Sequence, residues 1–159
     1  MKRICALLLC LSLVSPAVAG APAAWPDWAR EALGWGQEMS ISGEFLNAPA
    51  EDVTRGMAAQ LLYEAAGRPA VSQECPFSDV SGAYRDAITW AADQGYLLGV
   101  GEGAYEPDRL VTRQEFAAIL WRRAQSPTVA AQGLDRYQDA SAVGEWARGA
   151  MLWCIQTEV

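Results

Sequence analysis

Histidine is absent from the sequence, and lysine occurs once, at Lys2. These two gaps exclude Ser-His-Asp and Cys-His triads, Schiff-base lysines, the P-loop lysine and the usual His-bearing zinc sites. Charge is sparse and one-sided: 12 basic against 19 acidic residues give −7, which argues against a nucleic-acid partner. No two of the nineteen carboxylates stand out as a glycosidase pair, and a solvated acidic surface accounts for them better. The residues therefore predict no catalytic group, no metal and no cofactor. What is present is a chain of 159 residues, 52% apolar, with seven tryptophans, enough for one ordinary domain or a short row of repeats.

Long apolar runs are also missing, with one exception. Lys2 and Arg3 precede an apolar stretch, Ile4 to Val14, which Ser15 and Pro16 break before the small-x-small site Ala17-Val18-Ala19. Eleven apolar residues fall short of the ~20 that span a bilayer, so residues 1–19 read as a secretory signal peptide. The expected mature protein is secreted, carries no membrane-inserting segment and works where disulfides persist. Cys5 and Cys10 leave with the signal, while Cys75 and Cys154 remain. Paired, they would close a long loop, contributing roughly 4 kcal/mol by loop entropy. Unpaired, they would pack as small hydrophobes, since Cys154 aligns with small residues in the other copies described next.

The chain repeats itself. Trp28-Ala29-Arg30-Glu31-Ala32-Leu33-Gly34-Trp35 aligns with Ala83 to Trp90 and with Trp146 to Trp153, matching at arginine, alanine, an aliphatic residue and the final tryptophan. A second block occurs twice: Val53-Thr54-Arg55 matches Val111-Thr112-Arg113, and Leu61-Leu62-Tyr63 matches Ile119-Leu120-Trp121. Each block carries helical periodicity. Tyr84, Ala87, Ile88 and Ala91 fall at i, i+3, i+4 and i+7, and Gly95 follows as a helix-ending residue. Thr112 and Glu115 form the spacing of a capping box. The spacing predicts helices near 28–39, 54–66, 84–94, 113–124 and 145–156, with a glycine-rich loop, Leu98 to Asp108, inside the middle copy. Pro69 to Pro76 and Ser126 to Asp135 read as linkers.

Phe77-Ser78-Asp79-Val80, Ala87-Ile88-Thr89-Trp90-Ala91, Gly95, Gly99, Tyr105-Glu106-Pro107 and Val111-Thr112-Arg113-Gln114-Glu115-Phe116 together resemble one complete S-layer homology (SLH) repeat. Residues 77–124 carry that full copy. Residues 25–67 resemble a diverged copy, and residues 137–159, opened by Tyr137-Gln138-Asp139, resemble the first half of a third. In the diverged copy Gly56-Met57 stands where the motif has a variable residue and glutamate, so a weak helix start without a capping box is expected. The resemblance implies an all-α fold of tandem helix–loop–helix SLH repeats, packed as a pseudo-threefold helical domain with the third repeat incomplete. It also implies non-covalent anchoring at the bacterial cell surface. The partner would be secondary cell-wall polysaccharide, commonly bearing pyruvate ketals, held in grooves between repeats.

Arg113 and Arg55 follow an N-cap threonine at a helix start, where a guanidinium can grip a carboxylate by two hydrogen bonds; the alternative is a solvated arginine or a surface ion pair. Arg113 ranks above Arg55 because its copy keeps the intact motif. Trp28 and Trp146, one helical face away from the repeated tryptophans, are candidates for stacking on sugar rings. Trp35, Trp90 and Trp153 read as packing residues instead. Asp79 and Asp139 are either ligand contacts or backbone caps. Two further readings stand beside wall anchoring: an assembly module that packs on other surface-layer proteins, and the anchor segment of a longer secreted enzyme.

Overall fold

A computed structural model describes residues 27, 29–41 and 51–157. The signal segment at 1–19 and the candidate contact Trp28 lie outside the described residues. Among the described residues five α-helices follow in order: α1 (Arg30–Glu38), α2 (Arg55–Ala65), α3 (Arg85–Asp93), α4 (Arg113–Arg123) and α5 (Arg148–Thr157). Short 3-10 turns, Gly82–Tyr84 and Glu145–Ala147, lead into α3 and α5. Among the described residues there is no strand, only isolated bridges between Thr54 and Leu110 and between Gly101 and Ala104. The all-α expectation holds, and each expected helix is present. None is long and apolar enough to cross a membrane among the described residues.

The helix ends are set by local chemistry. Thr54 caps α2 by accepting from Met57 N, and Thr112 and Glu115 make the full capping box on α4. At the other end, α1 to α4 close with the same pair of backbone bonds around a left-handed residue. Gly67 and Gly95 fill that position after α2 and α3. Ser40 and Gln125 fill it after α1 and α4, at φ 57° and 68°. Only the glycines were readable as stops in advance.

Packing runs across the sequence copies. The second helix of one copy packs on the first helix of the next, α2 on α3 and α4 on α5. Leu62 and Ala59 of α2 join Ala87, Ile88 and Ala91 of α3 in one buried cluster. Leu61, on the other side of α2, joins Ala32 and Leu33 of α1. Phe116 of α4 borders both of these clusters and also the cluster of Leu120 and Trp153. Each such leucine or isoleucine contributes about 1.5–3 kcal/mol when buried. Trp35, Trp90 and Trp153 all serve packing, Trp90 between Tyr63 and Tyr96 at 5.6 Å from each ring. Cys75 packs against the α2–α3 cluster and Cys154 against the clusters of α4 and α5, so the disulfide alternative is corrected: the two sulfurs pack at different places as small hydrophobes.

Gly56, a poor helix former, stands in a crowded place at the start of α2. Its N–H donates to Pro107 O at 2.8 Å, and a Cβ there would lie 2.6 Å from Tyr84 Cδ2 and 3.1 Å from Pro107 O. The glycine is what lets the loop after α3 press against the start of α2. Gly34, inside α1, has nothing within 4 Å of an added Cβ. Gly34→Ala is therefore expected to stabilise the protein by about 0.5–1 kcal/mol, whereas Gly56→Ala should destabilise it by about 1–3 kcal/mol through overpacking. Thermal melts of the two variants check this; a gain in melting temperature for Gly56→Ala would contradict the close approach.

Candidate functional site

The loop between α3 and α4 is shaped by its own glycines and by one aspartate. Gly101, Glu102 and Gly103 take φ of 119°, 51° and 73°, a tight reversal closed by Val100 N donating to Ala104 O at 2.9 Å. Asp79 then accepts from Tyr105 N at 2.9 and 3.1 Å and from Glu106 N at 2.7 Å. Those backbone bonds, Glu106 first, outweigh the desolvation that opposes them and hold the Asp79 carboxyl below its ordinary range. Of the two readings open for Asp79, the structure displays the backbone role: it pins the loop.

The pinned loop meets the start of α2. Arg55 N donates to Arg109 O and Val111 N to Val53 O, at 2.8 and 2.9 Å. The Arg55 side chain, 6% exposed, passes into the loop and donates from every nitrogen. Nε reaches Tyr105 O at 2.8 Å, Nη2 reaches Leu98 O at 2.9 Å, and Nη1 reaches Glu115 Oε1 at 2.9 Å. Its guanidinium carbon lies 4.4 Å from the centre of the Tyr105 ring. Tyr105 is fully buried and returns a bond from its hydroxyl to Arg55 O at 3.0 Å. Burial pushes the Tyr105 phenol up to about 12, although Arg55 pulls the other way.

Glu115 links this insertion to α4. It accepts from Arg55, from Arg109, and from both the amide and the hydroxyl of Thr112. Arg109 in turn donates to Glu106 Oε2 at 2.7 Å. Partial burial pushes the Glu115 carboxyl up, but the Arg109 and Thr112 bonds prevail and hold it at about 2.

Beside this network lies an open groove of about 390 Å³, lined by Arg55, Leu97 to Val100, Glu115, Ile119, Arg122 and Trp146. Trp146 reaches it from the 3-10 turn before α5 and is 55% exposed. Two features hold that indole in place. Gly144 has no side chain to displace the ring, since a Cβ there would meet Trp146 Nε1 at 2.6 Å. Gly144 N is itself tied to Gln114 Oε1 of α4 at 2.9 Å.

The structure thus brings Arg55 and Trp146 to one cavity and leaves other candidates elsewhere. Arg113 is exposed at the start of α4 and does not line the groove. Asp139 is exposed near the turn Ala140–Ala142 and makes no side-chain capping bond. Arg122 lines the groove although the sequence did not single it out. The repeat hides it: the matching residue of the first copy is Glu64, so Arg122 carries no repeated signal.

A depressed carboxyl stabilises the fold above its unfolded pKa and withdraws that support as pH falls through its folded value. For Glu115, held at about 2 against an ordinary 4.5, the contribution is full above pH 4.5 and lost between there and 2. The shift corresponds to about 3 kcal/mol. Asp79 acts in the same direction. Melting temperature should therefore fall across that acid window, and Glu115→Gln should lower it at neutral pH and flatten the acid decline. A wild-type melt unchanged from pH 5 to 2 would contradict the network.

Residues 76–117 match the family model of the S-layer homology domain. No curated protein and no solved structure matches the chain. The matched stretch contains Asp79, the glycine-rich loop, Tyr105 and Glu115, which are the parts that receive Arg55. S-layer homology domains associate with the cell surface and anchor to cell-wall polysaccharide. The likeness to the S-layer homology domain covers the stretch from residue 76 to residue 117, about a quarter of the chain.

Proposed function

We propose that the chain holds a secreted protein non-covalently on secondary cell-wall polysaccharide bearing pyruvate ketals, and that the groove at Trp146 is where the polymer docks. The observation that carries this reading is the composition of that groove. It joins an exposed indole, an apolar rim of Leu98 and Val100, and the guanidinium of Arg122 in a chain otherwise poor in positive charge. A flat aromatic face suits the apolar C–H side of a sugar ring, while guanidinium suits a ketal carboxylate. Its volume falls within the ~300–1,000 Å³ of small-ligand sites. In this reading the protein binds its polymer without turning it over, and exposed Arg113 is a second contact outside the groove.

Sedimentation with purified cell wall, before and after removal of the secondary polymer, tests the function. Binding should disappear with the polymer. Trp146→Ala should weaken it about tenfold, for ~1–2 kcal/mol of lost contact, with little change in melting temperature because the ring is already exposed. Equal binding to stripped and intact wall would refute the reading.

A further inference from the structure

We propose that the residue gripping the ligand's anion in this groove is Arg122, and that the helix-start arginine, Arg55, is a positioning residue that builds the groove wall. The inference rests on the groove being the polysaccharide site. Three charged side chains line the cavity: Arg55, Glu115 and Arg122. Arg55 and Glu115 are bonded to each other at 2.9 Å, and their charges cancel at close range. The remaining Arg55 nitrogens are directed at Tyr105 O and Leu98 O. A ligand carboxylate would have to break those bonds to take Arg55, leaving buried carbonyls without donors.

Arg122 is placed differently. It pairs with no carboxylate among the described residues, and its one hydrogen bond there is a long one, Nη1 to Tyr96 O at 3.5 Å. It is half-buried, and that burial lowers its pKa, so its charge has lost water without gaining a counter-ion. An incoming carboxylate would supply one. Trp146 lines the same cavity, which allows a sugar to lie on the indole while its acidic substituent reaches Arg122. The counterpart position in the first copy is Glu64, buried and bonded to Gln60 and Arg68. Acid selectivity is therefore a property of this groove and is not repeated with the helix-start arginine.

The test is titration calorimetry of the full chain with a hexoside carrying a pyruvate ketal and with the methyl ester of the same ketal, which keeps shape and removes charge. The wild type should prefer the acid about tenfold or more. Arg122→Gln should bind acid and ester alike, at the wild-type ester affinity, and keep the wild-type melting temperature. Arg55→Gln should melt lower yet, where folded, keep the acid preference. The assignment is overturned if Arg122→Gln retains the preference, if folded Arg55→Gln loses it, or if the wild type shows none. The underlying reading fails in a different way: the wild type binds neither hexoside, or Trp146→Ala leaves both affinities unchanged, and the assignment to Arg122 falls with it.

Discussion

The insertion of Arg55 into the loop after α3 is the constraint on which the rest of the arrangement depends. One guanidinium satisfies two loop carbonyls and one carboxylate, and lies over the ring of a fully buried tyrosine. Burying a charge this way is tolerable only because every nitrogen has a partner. Removing one side of such a pair costs about 3–5 kcal/mol, because the other is left uncompensated. The loop conformation, the start of α2 and the start of α4 are thus coupled through one side chain. Gly56 and Asp79 serve the same contact, one by giving room and the other by holding the loop in position.

That coupling explains why the sequence copies are not separate folding units. Helices pair across copies, and Phe116 of α4 packs against three buried clusters. A copy taken alone would expose the face that its neighbour covers, the general condition of stacked repeats. The groove inherits its shape from the same coupling. Its wall, Leu98 to Val100, is fixed through the bond from Arg55 to Leu98 O.

Electrostatics sharpen the site. The chain is acidic, so its long-range field repels an anionic polymer, but exposed charges beyond roughly 8–10 Å are screened at physiological salt. Short-range contacts then decide. Within the groove the paired Arg55 and Glu115 cancel, which leaves Arg122 as the net charge beside the exposed Trp146. In the proposed reading, an indole face and a half-desolvated guanidinium select for a sugar with an acidic substituent without any change in the surrounding acidic surface.

The helical class, the five helix positions and the capping box at Thr112 and Glu115 were legible because they depend on neighbours within one or two turns, and the packing role of the tryptophans because the same position recurs in three copies. Asp79 was legible only as a choice between capping and binding, since its partners lie 26 and 27 residues away. The loop glycines announced a turn; nothing local announced that Ser40 and Gln125 would adopt left-handed stops. Repetition marked Arg55 and Arg113 as equals and concealed Arg122, because a repeat signal records what copies share. Three-dimensional packing separated them. It buried Arg55 in a loop some fifty residues away, left Arg113 exposed, and set Arg122 in one groove with Trp146, which arrives from the turn before α5. Local hydrogen bonding and periodicity are written along the chain, whereas which guanidinium keeps its charge free depends on partners that only folding brings within reach.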